Sequence, residues 1–465
     1  MPMDPRQSDR AVGALLGAAV GDALGVPYEY GARPLEGEPQ MLGGGLGGYA
    51  PGQWSDDTEM ACAIALVSAT GADLRTKQAL DDIAASFLRW YDDGPPDIGN
   101  QTRAVLSQRP GNATQMRTLA RELHERTGRT AGNGSLMRTS PVALAHLGDS
   151  EAIAAAARAV SELTHHDPVA GDACVLWCLA IDHAVRTGRL DVRIGLPHVD
   201  AAYWTPLLDE AQTVPPSHYS SNNGWVVSAL LAAWSSLHRT TSLRAALITA
   251  VGGGGDTDTV AAITGALGGA AYGASTIPFA WRRRLHGWPG LRARDLARLA
   301  YLTAHDGRPG PQGWPTAERI VTYDGAATGT VPHPDDPGVL LGAVGALQPG
   351  VADAVVSLCR LGSTQVPLAG VHVEDHAEVW LVDAEDANND LPMVLRDAAQ
   401  TVRILRSEGK TVLLHCVHAH TRTPVVAAAY GALITGSSGA QALARVVGVL
   451  PARPRRSIVA ALDHL

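Results

Sequence analysis

The sequence VGGGGDTDTVAAITGALGGA, residues 251–270, joins four consecutive glycines to an Asp-x-Asp-Thr motif and then to an apolar, helix-like run. Glycine accepts positive φ and leaves room for a ligand to approach the backbone closely. The junction between this loop and the predicted helix can therefore direct the side-chain oxygens of Asp256, Asp258 and Thr259 toward one point.

A second set of oxygen ligands stands upstream in GQWSDDTEMACAIAL, where Ser55, Asp56 and Asp57 again directly precede a helical pattern. Aspartates at helix starts are most often caps and glycine-rich runs are most often loops, so either motif alone favours a structural interpretation. The two motifs together favour a metal site. Oxygen ligands without nearby His or Cys predict Mg²⁺, with Mn²⁺ as the alternative, and four carboxylates can hold two such ions.

The composition argues against several classes of protein. With 465 residues, 46% hydrophobic and 18% charged, the chain predicts a globular protein of two domains. It has 37 Lys+Arg against 46 Asp+Glu, a net charge of −9, and no basic run, so a surface that follows nucleic-acid phosphates is not expected. The five cysteines are odd in number and lack the pairing of metal ligands. No charged segment followed by an apolar one opens the chain and no 18-residue apolar span is found, which predicts a cytoplasmic protein without a membrane segment.

The pattern of the chain changes near residue 305. From about residue 11 to residue 304, Ala- and Leu-rich segments with apolar residues three and four apart predict helices; examples are MACAIALVSAT, EAIAAAARAVSEL, GWVVSALLAAWSSLHR and SLRAALITAV. The stretch HDGRPGPQGWP, residues 305–315, is rich in Gly and Pro and predicts a boundary. Beyond it the β-prone runs DAVVSLCRL, EVWLVDA and KTVLLHC alternate with the helical stretches LPMVLRDAAQTVRILRSEG and TPVVAAAYGALI. We therefore predict a multidomain chain, with an all-α bundle at 1–308, a linker at 309–335 and a small α/β domain with a mainly parallel sheet at 336–465.

The first 300 residues resemble the ADP-ribosylglycohydrolases. The resemblance rests on six segments in the family's order: GALLGAAVGDALGVPYEY (13–30), WSDDTE, DIGNQT (97–102), GNGSLMRTSPVALAHL, LTHHDP and GGDTDTVAAITGALGGAAYG. It implies an all-α bundle whose cleft binds two divalent metals through Ser55, Asp56, Asp57, Asp256, Asp258 and Thr259. Ser55 stands where the family usually has Thr, a change that keeps the hydroxyl. The implied reaction cleaves the bond between C1″ of the distal ribose and its acceptor. The implied substrate is an ADP-ribosylated protein or a small ADP-ribose conjugate, and a nucleic acid only as a modified end.

The same resemblance suggests further residues of the cleft. Those expected to line the substrate are Asp97, Asn133, Gly134, Ser135, Met137, His165, Gly254 and Gly255. Glu29 is a candidate catalytic base or outer ligand, although a structural carboxylate is an equal alternative. A lone His is more often structural than functional, so His165 has that alternative too. Arg138 could pair with a phosphate or brace the loop, and bracing is favoured.

Near its C-terminus the chain contains KTVLLHCVHAHTRTPVVAAAYGALI, in which five residues separate Cys416 from Arg422. This spacing of Cys and Arg also occurs by chance, so the elements on either side of it must support a functional interpretation. An apolar run ends at His415 and a helical pattern follows Thr423, which places Cys416 in a loop before a helix N-terminus. Backbone N–H groups and the helix dipole stabilise a thiolate there, and Arg422 can bind two phosphate oxygens.

This segment resembles the Cys-based protein phosphatases, nearest in size to the dual-specificity kinds, over about 130 residues. The resemblance implies a phosphorylated substrate, Cys416 as nucleophile, Arg422 as phosphate ligand and Thr423 as the hydroxyl that eases departure of the thiolate. A general acid is expected from VDAEDANNDL, with Asp386 as first candidate and Asp383 or Asp390 as alternatives.

One residue departs from the phosphatase pattern. The family usually has Gly at the third position after the Cys, and this chain has Ala419. A Cβ strains the loop if that position requires positive φ. The alternative is therefore an inactive C-terminal module that recognises phosphate or serves a structural role.

Overall fold

The computed structural model describes residues 3–309 and 323–465, and the chain divides into two compact units. The larger unit comprises residues 10–277 and 284–308. The smaller unit comprises the described residues of 309–465 together with the short segments 3–9 and 278–283. The predicted domain 1–308 therefore differs from the larger unit in these two segments. Much of the predicted linker 309–335 falls on residues 310–322, which lie outside the described residues.

The larger unit is helical, and its described residues contain one small hairpin, β1 His286–Gly287 and β2 Leu291–Arg292. The helices up to residue 308 are α1 Pro5–Gly25, α2 Asp56–Ser68, α3 Lys77–Asp92, α4 Asn100–Leu106, α5 Ala113–Thr127, α6 Ser140–Leu144, α7 Ser150–Ser161, α8 Pro168–Thr187, α9 Ala201–Thr213, α10 Val226–His238, α11 Leu243–Gly252, α12 Thr257–Tyr272, α13 Phe279–Arg282 and α14 Ala293–Ala304. Of these, α13 lies in a segment of the smaller unit. The four quoted helical segments coincide with α2, α7, α10 and α11, which confirms the prediction of a helical domain.

Helices α1 and α12 pack with their backbones in contact because glycines line the contact face of α1. Four glycines recur every four residues and share one face of α1: Gly13, Gly17, Gly21 and Gly25. A Cβ on any of them would collide with the backbone of α12, at Gly269, Gly265, Ala261 and Asp258 respectively. No side chain separates the two helices along this face. As a result, Asp22 of α1 lies beside Asp258 in the first turn of α12.

Replacing Gly17 by Ala should lower the free energy of unfolding by about 2 kcal/mol, because the added Cβ must push two backbones apart. The midpoint of thermal unfolding should fall by about 5 °C, as followed by circular dichroism. Gly252→Ala is the matched control, since a Cβ at Gly252 meets no atom within 4 Å. The control should keep or slightly raise the midpoint, and equal midpoints for the two variants would show that the crossing does not need glycine.

The smaller unit is an α/β fold built on a five-stranded sheet. Its strands are β3 Thr330–His333, β4 Asp336–Ala343, β5 Ala354–Ser357, β6 His376–Glu378 and β7 Val412–Cys416, and its later helices are α15 Leu391–Ser407, α16 Arg422–Thr435, α17 Gly439–Val449 and α18 Arg456–Ala460. The strand order is β3-β4-β7-β5-β6; β3 is antiparallel to β4 and the other neighbours are parallel. The sheet thus begins with β3, inside the stretch predicted as linker.

The buried strand β7 is at the centre of the sheet and positions the second candidate site. His415 lies in register with Gly342 of β4 and Ser357 of β5, so Cys416 leaves the sheet at the edge where the parallel strands end. The strands predicted in DAVVSLCRL and KTVLLHC are confirmed as β5 and β7.

The strand predicted in EVWLVDA, residues 378–384, is wrong for most of its length, because β6 ends at Glu378. Val379 N still donates to the Ser357 carbonyl of β5 at 3.0 Å, but beyond it the backbone groups of Leu381 and Val382 bond to side chains. The Leu381 carbonyl accepts from Arg422 Nη1 at 3.3 Å, and Val382 N donates to Asn388 Oδ1 at 2.9 Å.

Two helical stretches among the described residues, residues 5–31 and α8, are long and apolar enough to cross a membrane by length and composition. The prediction that no 18-residue apolar span exists is therefore wrong. The apolar window of the first stretch is wholly buried within the protein, and 78% of that of the second is buried. Core helices meet the same test, so these stretches are weak evidence for a membrane segment.

Candidate functional site

Two groups of buried carboxylates meet at the N-terminus of α12. Within each group, one oxygen of every member lies within 4.8 Å of the others. The first group contains Asp22, Asp57 and Asp258, and the second contains Glu29, Asp256 and Asp258. Since Asp258 belongs to both groups, α1, the turn after it, α2 and α12 all contribute carboxylates to one continuous site.

Asp22 fixes the start of α2. Its carboxylate accepts hydrogen bonds from the backbone N of Ser55 (2.9 Å) and of Thr58 (3.1 Å), and from their hydroxyls at 2.8 and 2.6 Å. Asp57 Oδ2 accepts from Ser55 Oγ at 3.1 Å and from Thr259 Oγ1 at 3.3 Å. Asp57 Oδ1 is buried and has no hydrogen-bond partner within the described ranges. A buried carboxylate oxygen without a partner is a suitable ligand for a hard cation.

Asp256 is held by side chains from three other segments. Its Oδ2 accepts from the Tyr30 hydroxyl at 3.2 Å and from Asn133 Nδ2 at 2.8 Å. Its backbone N donates to Asn223 Oδ1 at 2.9 Å. Tyr30 adopts φ 45, in the left-handed region, and its backbone N donates to the Gly255 carbonyl at 2.7 Å. Such a conformation of a bulky residue persists only where surrounding contacts hold it, and it is common at binding sites.

The residues predicted to line the substrate fall into two sets. Those that are partly exposed near Asp256 are Asn133, Gly134, Gly254 and Gly255, and those that are buried are Ser135, Met137 and His165. Gly254 and Gly255 have φ 77 and 76, and a Cβ on Gly255 would collide with the Ser220 carbonyl and with Asn223. The glycines of this loop are therefore needed for packing within the protein as well as for access by a ligand.

The buried members support the loop from within. His165 Nδ1 lies 2.8 Å from Thr164 Oγ1, and burial followed by the charge of Arg138 lowers the pKa of His165 well below its usual value. Arg138 is fully buried, donates to Thr164 Oγ1 at 2.7 Å and stacks 4.5 Å above the Phe87 ring. These contacts match the structural alternative for His165 and the bracing role for Arg138.

Asp56 and Asp97 are half-buried and stand outside the two tight groups. Burial, and next the charge of Asp97, raise the pKa of Asp56 well above its usual value. Asp97 also contributes to the raised pKa of Glu29. Asp97 is thus close enough to the carboxylate site to act on it electrostatically.

The crowded carboxylates repel one another. Burial, then the charges of Asp256 and Asp97, raise the pKa of Glu29 to about 8, and burial is also the main cause of the raised pKa values of Asp57 and Asp258. A divalent cation would remove this repulsion and would satisfy Asp57 Oδ1. The donor set consists of oxygens, so the residues fit Mg²⁺ or Mn²⁺.

In excess chelator, the protein should become less stable as the pH rises from about 5 to 8. Glu59 accepts from Trp90 Nε1 at 2.6 Å, yet burial raises the pKa of Glu59 to about 7, and that of Glu29 is about 8, against an ordinary value of 4.5. The folded state keeps these protons where the unfolded state has released them, so the free energy of unfolding falls as the pH passes through this window. Thermal unfolding at pH 5, 6, 7 and 8 measures the slope.

The control for this prediction is Glu59→Gln, which keeps an acceptor for Trp90 and removes one titrating group. Its stability should decline less with pH than that of the wild type. Stability that rises over the range, or equal slopes for the two proteins, would contradict the prediction.

Sequence reasoning missed three polar residues of the site: Asp22, Tyr30 and Asn223. Asp22 was detectable as a carboxylate inside an otherwise apolar helix, because a buried charge requires partners. Tyr30 and Asn223 carry no such signal, since their roles depend on a left-handed backbone and on contacts between distant segments.

A second candidate site lies in the smaller unit, where β7 ends at Cys416 and α16 begins at Arg422. Cys416 is buried, whereas His418 and His420 of the connecting loop are exposed. The Val417 carbonyl accepts from Val344 N at 3.2 Å. The loop is therefore fixed to the sheet on one side and open to solvent on the other.

The Arg422 guanidinium is anchored by main-chain carbonyls. Its Nη1 donates to Leu358 at 2.6 Å and to Leu381 at 3.3 Å. Its Nε is buried and lacks a hydrogen-bond partner among the residues that the structure describes. A phosphate oxygen would satisfy this N–H, since arginine binds phosphate through parallel N–H groups.

The structure distinguishes the candidate general acids. Asp383 Oδ2 lies 3.9 Å from Arg422 Nε, whereas Asp390 caps α15 by accepting from Met393 N at 2.9 Å. Asp386, the first candidate from the sequence, has φ 52 and forms no ion pair with Arg422. Of the three aspartates, Asp383 is therefore the one that pairs with Arg422. Thr423 is buried and donates to the Gly342 carbonyl at 3.4 Å, so its hydroxyl has a partner other than Cys416.

Ala419 adopts φ 57 and is buried in the loop. The position therefore requires the left-handed conformation that the usual Gly accepts freely. A residue with a Cβ loses about 1 kcal/mol there.

Residues 3–310 match the family model described as ADP-ribosylglycohydrolase. The chain is 30% identical over 300 residues to the ADP-ribosyl-[dinitrogen reductase] glycohydrolase of Rhodospirillum rubrum. This match covers 60% of this chain and 92% of that protein. It is 31% identical over 292 residues to the ADP-ribosylarginine hydrolase Tri1 of Pseudomonas putida (strain GB-1). This match covers 60% of this chain and 75% of that protein. A solved structure described as an ADP-ribosylglycohydrolase-related protein complex matches with a TM-score of 0.50 and 28% identity, over 65% of this chain and 99% of that chain. The family match includes every residue of the carboxylate site.

Proposed function

Because the chain belongs to the ADP-ribosylglycohydrolase family, we propose that its carboxylate site binds two divalent cations, Mg²⁺ or Mn²⁺, and releases ADP-ribose from an ADP-ribosylated protein. The observation that carries this proposal is the pair of buried carboxylate groups that share Asp258, with one oxygen of Asp57 left without a partner.

The side chains around the site have distinct tasks. Asp22, Asp57 and Asp258 would hold one cation, and Glu29, Asp256 and Asp258 the other, with Ser55, Asp56 and Thr259 completing the ligand set that the resemblance implies. Bound cations supply positive charge that orients the hydroxyls of the distal ribose as its bond to the acceptor breaks. Tyr30 and Asn133 fix the carboxylate of Asp256, and Ser55 and Thr58 fix that of Asp22. These hydrogen bonds keep the carboxylates in place while the substrate enters.

The proposed acceptor is arginine. The Pseudomonas putida relative is an ADP-ribosylarginine hydrolase, and the half-buried carboxylate of Asp97 offers negative charge beside the site to a guanidinium group. Release of ADP-ribose from a protein modified on arginine, measured with the full chain, tests the proposal. A peptide modified on serine is the matched substrate.

With Mg²⁺, we expect release from the arginine-linked protein at least ten times faster than from the serine-linked peptide, and no release in excess EDTA. Undiminished release in EDTA would refute the cation requirement. A preference for the serine-linked peptide would refute the acceptor alone.

We propose a second activity, hydrolysis of phosphomonoesters at Cys416, because the buried Arg422 Nε has no hydrogen-bond partner within the described residues. The Cys416 sulfur forms a bond to phosphorus as the ester P–O bond breaks, and the leaving oxygen takes a proton from Asp383. Water then attacks phosphorus, returns a proton to Asp383 and displaces the Cys416 thiolate, so that orthophosphate is released. Arg422 binds the non-bridging oxygens throughout.

Hydrolysis of p-nitrophenyl phosphate by the full chain tests this proposal.

A further inference from the structure

A short segment near the C-terminus is positively charged, although the chain as a whole is acidic. Arg453, Arg455 and Arg456 lie within the sequence PARPRRSIVA, residues 451–460, which contains no acidic residue, although the whole chain has a net charge of −9.

Two contacts bring this tract to the second candidate site. Arg453 N donates to the His420 carbonyl at 3.0 Å, so the backbone of the tract is tied to the loop itself. Arg455 Nε lies 2.9 Å from Asp383, the proposed general acid. The tract therefore borders the site at which the reacting phosphoryl group would bind.

The donors on this border are available to a ligand. Arg453 is exposed, and its guanidinium makes no hydrogen bond or ion pair with the residues that the structure describes. His418 and His420 are exposed as well, with ring centroids 6.0 Å apart. We refer to Arg453, His418 and His420 as the donor rim.

We propose that the donor rim binds a second phosphate group, so that the C-terminal site takes a small organic phosphomonoester that carries a further phosphoryl group. The proposal rests on the proposed phosphatase function. Arg422 is engaged by the reacting phosphoryl group, whereas Arg453 is bonded through its backbone to the same loop and keeps its guanidinium free. Charge-assisted hydrogen bonds from arginine to phosphate are strong and directional. A monophosphate would leave the rim without a ligand.

Binding to the full chain tests the proposal. The background is Cys416→Ser, to prevent turnover, with EDTA to remove divalent cations. Isothermal titration compares fructose 1,6-bisphosphate with fructose 6-phosphate, which contain no nucleoside that the ADP-ribose cleft could select. Arg453→Ala should raise the Kd for the bisphosphate about tenfold and change that for the monophosphate less than about twofold. Arg456→Ala, in the same tract without a contact to the loop, is the matched control and should change neither.

Three results would overturn the proposal: no binding of the bisphosphate, an equal loss for both ligands in Arg453→Ala, or an equal loss in Arg456→Ala. Hydrolysis of p-nitrophenyl phosphate by the wild type reports separately on the phosphatase function. If the wild type does not hydrolyse it but the bisphosphate binds in a manner that depends on Arg453, the phosphatase function fails and the second phosphate site stands.

Discussion

Asp258→Asn should slow ADP-ribose release by at least about a thousandfold at saturating Mg²⁺, because it removes charge from both carboxylate groups at once. The amide keeps the shape of the side chain, and its oxygen can still accept from Thr259 N, which lies 3.0 Å from Asp258 Oδ1. The loss should therefore come from the missing charge. Initial rates of ADP-ribose release, measured across a range of Mg²⁺ concentrations, give its size.

The matched control is Asp209→Asn on the exposed surface of α9, which should keep its rate within about twofold. In EDTA, Asp258→Asn should be at least as stable as the wild type, because burial raises the pKa of Asp258 and the variant removes a repelling charge. A variant that unfolds at a lower temperature, or that keeps a tenth of the wild-type rate, would contradict this account.

Cys416→Ser should reduce hydrolysis of p-nitrophenyl phosphate by at least about a thousandfold, because a hydroxyl in place of the nucleophilic sulfur cannot form the covalent intermediate at a useful rate. Release of ADP-ribose should be unchanged, since no cysteine belongs to the carboxylate site. Both activities are measured on the same preparation, and binding of orthovanadate by Cys416→Ser shows that the smaller unit is folded. Phosphatase turnover that persists in Cys416→Ser would refute the Cys mechanism.

The phosphatase activity of Ala419→Gly, compared with that of the wild type, tests whether the C-terminal unit is an active phosphatase or an inactive module. Glycine relieves the cost of φ 57 at this position. If the wild type is inactive and Ala419→Gly is active, the Cβ of Ala419 has distorted the loop. If neither protein hydrolyses the ester but both bind orthovanadate, the C-terminal unit is a phosphate-recognition module.

Much of the fold was predictable because local pattern and global structure agree in most of the chain. The Ala-rich segments that become α2, α7, α10 and α11 have helical periodicity, and the apolar run of β7 is typical of a strand buried in a parallel sheet. The segment at 378–384 shows where this agreement ends. Its residues are β-prone, yet the Arg422 and Asn388 side chains bind its backbone in place of a neighbouring strand.

The candidate site was predictable where its ligands are clustered in sequence, as in SDDT and DTDT. It was not predictable where a single residue acts from a distant element. Asp22 reaches the site through the crossing of two helices, and Asp383 faces Arg422 through the path of a loop that has no regular periodicity. Segments 3–9 and 278–283 belong to the smaller unit for the same reason, since their membership depends on tertiary contacts.

The glycine face between α1 and α12 has a consequence for the choice of ion. Asp22 and Asp258 stand on backbones that are already in contact, so the gap between their carboxylates has a fixed upper limit. Mg²⁺ requires oxygens at 2.0–2.1 Å, and Ca²⁺ accepts 2.3–2.6 Å with more ligands. At the proposed cation site, helices held this close would favour the smaller ion, and a methyl group at Gly21 or Gly25 would shift the selectivity toward Ca²⁺.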